Sequence, residues 1–173
     1  MHDATTERCL DMVWRSEADF CICAQRGSEA EFENILLFKE RYYLICQSDD
    51  PLAKGREVKL SDLKGRHFVH MVRTGTVRRQ MIPLLESAQV SDSGLEVANF
   101  GTVAGLVAAG FGISIVPEHA VRLCHREGLV SVPLQCSKAV RPVVMIRRKG
   151  RSMSVAALAF WNQLEGNRRS IKR

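Results

Sequence analysis

At 173 residues, with 46% hydrophobic and 25% charged side chains, the chain falls in the size range of one domain and can bury a substantial core. That composition excludes a disordered chain, and no apolar run approaches the ~20 residues that span a bilayer. The net charge of +6 comes largely from two local clusters, Arg147, Arg148, Lys149 and Arg151, then Arg168, Arg169, Lys172 and Arg173. Such clusters attract phosphate in a salt-sensitive, sequence-blind way, and equally suit a solvated loop and a frayed tail.

The N-terminus, MHDATTER, has no basic segment leading into an apolar one. No signal peptide is visible, and a cytoplasmic location is expected. Six cysteines (Cys9, Cys21, Cys23, Cys46, Cys124, Cys136) would allow three disulfides by count. Their spacing contains no C-x-x-C and no paired Cys/His zinc pattern. They read as small hydrophobes kept reduced, with Cys21 and Cys23 on one face of a strand. Neither a metal nor a cofactor is expected.

Ala4 to Arg15 reads as a helix, with Asp3 or Thr5 as N-cap and Leu10, Val13 and Trp14 turned to the core. Ala18 to Ala24 is a short buried strand that ends in the loop Gln25-Arg26-Gly27-Ser28. Ligands of open α/β sheets sit outside the carboxyl ends of strands, which makes Gln25 and Arg26 ligand-binding candidates; a charged surface loop is the alternative. Ile35–Phe38 and Tyr42–Gln47 read as two more strands, and Ser48-Asp49-Asp50-Pro51 as a turn-rich interdomain crossing. Lys59 to Leu63 reads as a short helix capped by Ser61, before a strand His67–Met71 on which His67 and His70 face opposite sides.

The loop Val72-Arg73-Thr74-Gly75-Thr76 then opens a helix over Val77–Ala88, with Thr74 or Thr76 as N-cap. A glycine here lets the backbone approach a ligand, and the free N–H groups of the helix start favour an anion. Arg73, Arg78 and Arg79 would add charge, unless Arg78 and Arg79 face solvent. Pro83 falls inside this helix and should kink it.

Leu95 to Pro117 is the most informative stretch. It reads as a strand (Leu95–Ala98), a polar turn (Asn99–Thr102), an apolar helix (Val103–Ala109), a Gly110-Phe111-Gly112 break and a buried strand (Ile113–Val116). A strand, helix and strand in this order form a parallel crossover unit, which places Asn99, Phe100, Gly101 and Thr102 at a site mouth. Capping of the helix explains Asn99 and Thr102 equally well. Beyond it come a helix Glu118–Arg126, strands Leu129–Leu134 and Arg141–Arg148, and a closing helix Ser154–Leu164 with Val155, Leu158, Ala159 and Leu164 inward.

The pattern V-A-N-F-G-T-V-A-G-L-V-A-A-G-F-G-I-S-I-V-P-E resembles the effector-binding domain of LysR-type transcriptional regulators. EADFCI (Glu17–Ile22), ERYYLICQSDDPLAKGREVKLSDLKGRHFV (Glu40–Val69) and RPVVMIRRKGRSMSVAALAFWNQL (Arg141–Leu164) match it in order, so the resemblance runs from about Leu10 to Leu164. It implies an α/β, two-lobed type 2 periplasmic-binding-protein-like fold with mixed sheets. The lobes would be residues 1–50 (lobe I, partial), 51–133 (lobe II) and 134–166 (return to lobe I), followed by a basic tail, 167–173.

The family's winged helix-turn-helix and linker helix have no counterpart in this sequence. A strand–helix–strand unit needs about 30 residues, and only sixteen precede Glu17. The chain therefore reads as N-terminally truncated, with an incomplete first lobe, an exposed sheet edge and an uncovered apolar face that favour self-association.

The resemblance implies effector sensing and oligomerisation in a LysR-type regulator. Two lobes would close on a small anionic metabolite, with Thr74, Gly75 and Thr76 facing Asn99, Phe100 and Thr102 across a cleft. DNA would be reached only through the missing winged helix-turn-helix, and no membrane is involved. A solute-binding protein of the same fold and a non-functional fragment are the alternatives. No enzyme is expected: the five histidines are scattered, and there is no G-x-S-x-G, P-loop or H-E-x-x-H.

Overall fold

The computed structural model describes residues 1–25, 27, 30–73 and 75–168. In chain order the elements are α1 (Thr6–Trp14), β1 (Phe20–Ala24), β2 (Phe32–Gln47), β3 (Val58–Lys59), β4 (His67–Met71), α2 (Thr76–Ser87), β5 (Ser91–Val97), α3 (Phe100–Ala108), β6 (Ser114–Pro117), β7 (Leu129–Gln135), β8 (Val140–Arg148) and α4 (Val155–Asn167). Short 3-10 turns occupy Pro51–Lys54, Leu60–Leu63 and Glu118–Cys124. This is the expected mixed α/β chain. It forms two compact units, Met1–Lys39 with Arg141–Arg173, and Glu40–Val140. The turn at Ser48–Pro51, read from the sequence as the crossing, lies inside the second unit.

In the first unit β8 lies between β1 and β2, with Phe20 to Ala24 running antiparallel to Arg147 to Val143. Alternation along the strands sends side chains to two faces. Cys21, Cys23, Val144 and Ile146 pack with Leu10 and Val13 of α1. Met145 and Leu37 pack with Trp161 of α4. Thr5 caps α1, its Oγ1 accepting from the Arg8 amide at 3.4 Å. Trp14 departs from expectation. It is exposed, meets Phe32 edge-on, and carries the Arg148 guanidinium 4.5 Å above its ring.

The closing helix also turns differently from its apolar spacing. Val155 is 88% exposed, and Leu158, Ala159 and Phe160 are exposed too. Trp161, 2% exposed, is the anchor instead, meeting Phe20 edge-on at 5.4 Å beneath the Arg147 guanidinium at 4.9 Å. Because α4 is apolar nearly all round, its composition did not select a face; the largest ring did.

In the second unit the latter half of β2 is flanked antiparallel by β6 and β7, with β3 parallel to β7. The two strands read over Ile35–Phe38 and Tyr42–Gln47 are one strand of 16 residues. The charged Lys39-Glu40-Arg41 does not break it, because the buried Glu40 carboxylate accepts from the His119 amide (3.1 Å) and meets its Nδ1 (2.9 Å). At Leu60–Leu63 the capping carboxylate is Asp62, which accepts from the Lys59 amide at 2.9 Å, and not Ser61. β4 and β5 pair in parallel. Pro83 is accommodated within α2.

The crossover unit forms as expected, with β4 between β5 and the chain entering β6: Ile113 donates to His67 O and Val69 to Ile113 O, both at 2.9 Å. Gly110 ends α3 at φ +83°. Gly112 sits at φ +132°, where a Cβ would lie 2.3 Å from His67 O. Gly112→Ala should therefore cost about 2–4 kcal/mol, from left-handed strain plus forced separation of two paired backbones. Gly128→Ala, at φ +78° with open space around it, should cost only about 1 kcal/mol. Urea unfolding midpoints of the two variants check the contrast; equal losses would remove the steric argument.

Candidate functional site

The carboxyl ends of β4 and β5 lie side by side in the second unit, with Met71 opposite Val97 and the Val72 amide bonded to Val97 O at 3.0 Å. α2 starts just beyond one strand and α3 just beyond the other, so two helix N-termini open from one strand pair. Gly75 and Thr76 thus lie on the same unit as Asn99, Phe100, Gly101 and Thr102. Arg26 and Thr74 lie outside the described residues. Gln25 is on the first unit, exposed, its amide donating to Pro142 O at 2.9 Å.

The two helix starts differ. Asn99 is the N-cap of α3, its Oδ1 accepting from the Gly101 amide at 2.7 Å while its carbonyl accepts from Thr102 and Val103, each at 3.1 Å. Phe100, Gly101 and Thr102 therefore form the first helical turn and not a loop before it. At α2 the N-cap is Gly75, not Thr74 or Thr76, and it has no side chain with which to cap. Its first-turn amides remain oriented for an external acceptor.

The arginines expected to supply charge are engaged elsewhere. Arg73 Nε donates to Glu96 Oε1 at 2.7 Å, and Glu96 holds Arg73 firmly protonated. Arg78, expected to add charge to the site or face solvent, is 6% exposed. Its Nη2 lies 3.6 Å from Glu96 and 3.8 Å from Asp92, while Nε and Nη1 have no hydrogen-bond partner among the described residues. Of the two arginines expected either to add charge or to face solvent, Arg79 is exposed and Arg78 is not. His70 is buried beside this cluster, its Nε2 3.5 Å from Asp92 and its ring against Phe68. Burial, and then the Arg78 guanidinium, hold His70 below its ordinary value, with Asp92 and Glu96 opposing. The Gly94 amide, 2.9 Å away, lowers Asp92, helped by His70 and Arg78.

At the α3 start, Phe100 meets His119 edge-on with centroids 6.0 Å apart. The Phe100 carbonyl accepts from Cys124 Sγ at 3.5 Å, and the Gly101 carbonyl from Arg126 at 3.3 Å. Sequence reading passed over His119 and Glu40, because no motif joins residues 79 positions apart. Arg78 carries no local sign of burial either: its neighbour Arg79 has the same side chain and is exposed.

The family model of the LysR substrate binding domain matches residues 1–169. The chain belongs to that family. It is 31% identical over 158 residues to the uncharacterized HTH-type transcriptional regulator YbhD of Escherichia coli K12, covering 90% of this chain and 50% of the regulator. This LysR domain spans about half the length of the curated relatives it matches. Among solved structures it is similar to the Synechocystis PCC6803 CcmR regulatory domain in complex with 2-PG, with TM-score 0.84 and 19% identity over 98% of this chain and 83% of that one. It is also similar to the effector-binding domain of QuiR in complex with shikimate, with TM-score 0.84 and 20% identity over 98% and 81%. These likenesses establish the expected periplasmic-binding-protein-like fold of LysR effector-binding domains.

His70 makes the acid stability of this LysR domain testable. Its folded value lies below the 6.5 of the free side chain, so the unfolded chain takes up the extra proton as pH falls through that range. Stability present above about pH 6.5 should be lost on acidification until the folded value is passed. His70→Gln should flatten the fall in urea midpoint between neutral and mildly acidic pH. An unchanged fall would locate its origin in other groups.

Proposed function

We propose that this chain is the effector-sensing part of a LysR-type transcriptional regulator, binding a small anionic metabolite at the second unit's paired helix starts. The observation that carries this is the uncapped N-terminus of α2 beside the Asn99-capped N-terminus of α3, both at the carboxyl end of the β4–β5 pair. Gly75 and Thr76 would supply main-chain and hydroxyl donors, with Arg73 and Thr74 preceding them in the chain. Asn99, Gly101 and Thr102 would orient the ligand, and Phe100 would give it apolar contact. Arg73 contributes through its hold on Glu96 more than as a free cation. The complexes of CcmR with 2-PG and QuiR with shikimate support a small acidic effector for a domain of this fold.

Binding would shift a conformational equilibrium that an oligomer passes to DNA-binding domains of the winged helix-turn-helix type. The domain itself would do no catalysis and would act in the cytoplasm; no described helix is long and apolar enough to cross a membrane. Self-association has a physical basis in the first unit. Among the described residues β1 pairs on one side only, and α4 exposes the apolar side chains of Val155 and Leu158 on one side and Phe160 on another.

A thermal-shift panel of small carboxylates, sulfate and phosphate on the 173-residue chain tests the sensor reading. A ligand at 100 times its Kd adds about 2.7 kcal/mol, several degrees in a domain of this size. One chemical class should raise the melting temperature, and Thr76→Val should shrink that rise without lowering the unliganded value. No shift with any of them, or a shift indifferent to Thr76, would overturn the site. Sedimentation should show a dimer or larger species, and a monodisperse monomer would remove the self-association.

A further inference from the structure

We propose that the first unit carries a second, separate anion site: the cleft between the α1–β1 turn and the β8–α4 turn binds a small tetrahedral oxyanion of the class of phosphate, sulfate and phosphate monoesters. The cleft has a volume of about 130 Å³ and is lined by Ser16, Asp19, Arg148, Arg151 and Ser152, together with Val13 and Ala18. That is room for several waters or one such ion.

The hydrogen-bond accounting of the cleft favours an acceptor-rich guest. Its acceptors are already engaged: Asp19 Oδ1 accepts from the Ser154 amide at 3.1 Å, and Oδ2 from Ser154 Oγ at 2.9 Å. The carbonyl of Trp14, at the negative end of α1, accepts from Arg148 Nη1 at 3.0 Å. Its donors are not engaged. Arg151 makes no hydrogen bond or ion pair among the described residues, and the Ser16 and Ser152 hydroxyls and the other Arg148 N–H groups have no protein acceptor. The guanidiniums of Arg148 and Arg151 outweigh the single Asp19 carboxylate, whose oxygens already hold the Ser154 donors, so the lining keeps an excess positive charge beside fixed donors.

Two features show that this geometry is held in place. The Arg148 guanidinium is pinned between the Trp14 ring, 4.5 Å away, and the Trp14 carbonyl, so its fork is oriented before any ligand arrives. Ser16 stands at φ 63°, the position just past α1 where glycine would sit without strain. A serine there keeps a hydroxyl in the cleft wall at a cost in backbone conformation, a pattern seen where a strained residue serves a ligand.

The test is a titration of the full chain with sodium phosphate at constant ionic strength, followed by amide NMR. Saturable shifts are expected at Ser16, Asp19, Arg151 and Ser152, with sulfate competing. Arg151→Ala should weaken binding about tenfold or more, and Arg151→Lys less. Arg151 is exposed and makes no bond among the described residues, so both variants should keep the parent spectrum. Ser16→Gly should raise the melting temperature yet weaken phosphate binding, a split that a merely structural serine would not give. Non-saturating shifts, unchanged affinity in Arg151→Ala, or tighter and salt-steep binding of duplex DNA at the same amides would each overturn the site. None of these residues belongs to the proposed effector site, so either reading can fail without the other.

Discussion

At Gly112 the chain passes so close to β4 that no side-chain carbon fits, and the reciprocal bonds between Ile113 and His67 and between Val69 and Ile113 depend on that approach. With it, β6 is laid beside β4, Ile113 and Ile115 are buried in the main core, and the opposite edge of β4 stays free to pair with β5. The parallel β4–β5 pair in turn determines where α2 and α3 begin. A glycine whose added Cβ would lie 2.3 Å from His67 O therefore stands upstream of the whole candidate site, since helix starts that share one strand edge cannot be arranged by local propensity.

Charge is distributed around this frame in a way that separates support from the proposed recognition. Arg73, Arg78, Asp92, Glu96 and His70 form one network along β5 and the adjoining end of α2. Arg78 leaves two of its donors unbonded, a cost tolerated only because two carboxylates share its neighbourhood. The network ties α2 to the sheet and leaves neutral donors, main-chain amides and threonine hydroxyls, at the helix starts. Neutral donors distinguish ligands by shape and hydrogen-bond geometry, where a free arginine would attract any anion.

In the first unit, anchoring rests on single large rings. Trp161 holds α4 against Met145 and Leu37, and Trp14 serves as a platform for Arg148. That economy leaves Val155, Leu158 and Phe160 in solvent and β1 with one unpaired edge.

Much of the fold was legible in the residues alone. Alternation and apolar runs marked β1, β4, β6 and β8, Thr5 and Asn99 marked helix starts, and Gly110 marked a helix end, because these are interactions among residues a few positions apart. The order of the segments identified the family. The sequence could not show that β2 is continuous, since Lys39-Glu40-Arg41 looks like a break until His119, 79 residues away, supplies Glu40 with its partner. Nor could it show that Arg78 is buried and Arg79 exposed, or that α4 turns Trp161 inward and Val155 outward. Those outcomes depend on which distant strand offers a carboxylate or a gap, and burial of charge or of one face of an evenly apolar helix is decided by that neighbour and not by local pattern.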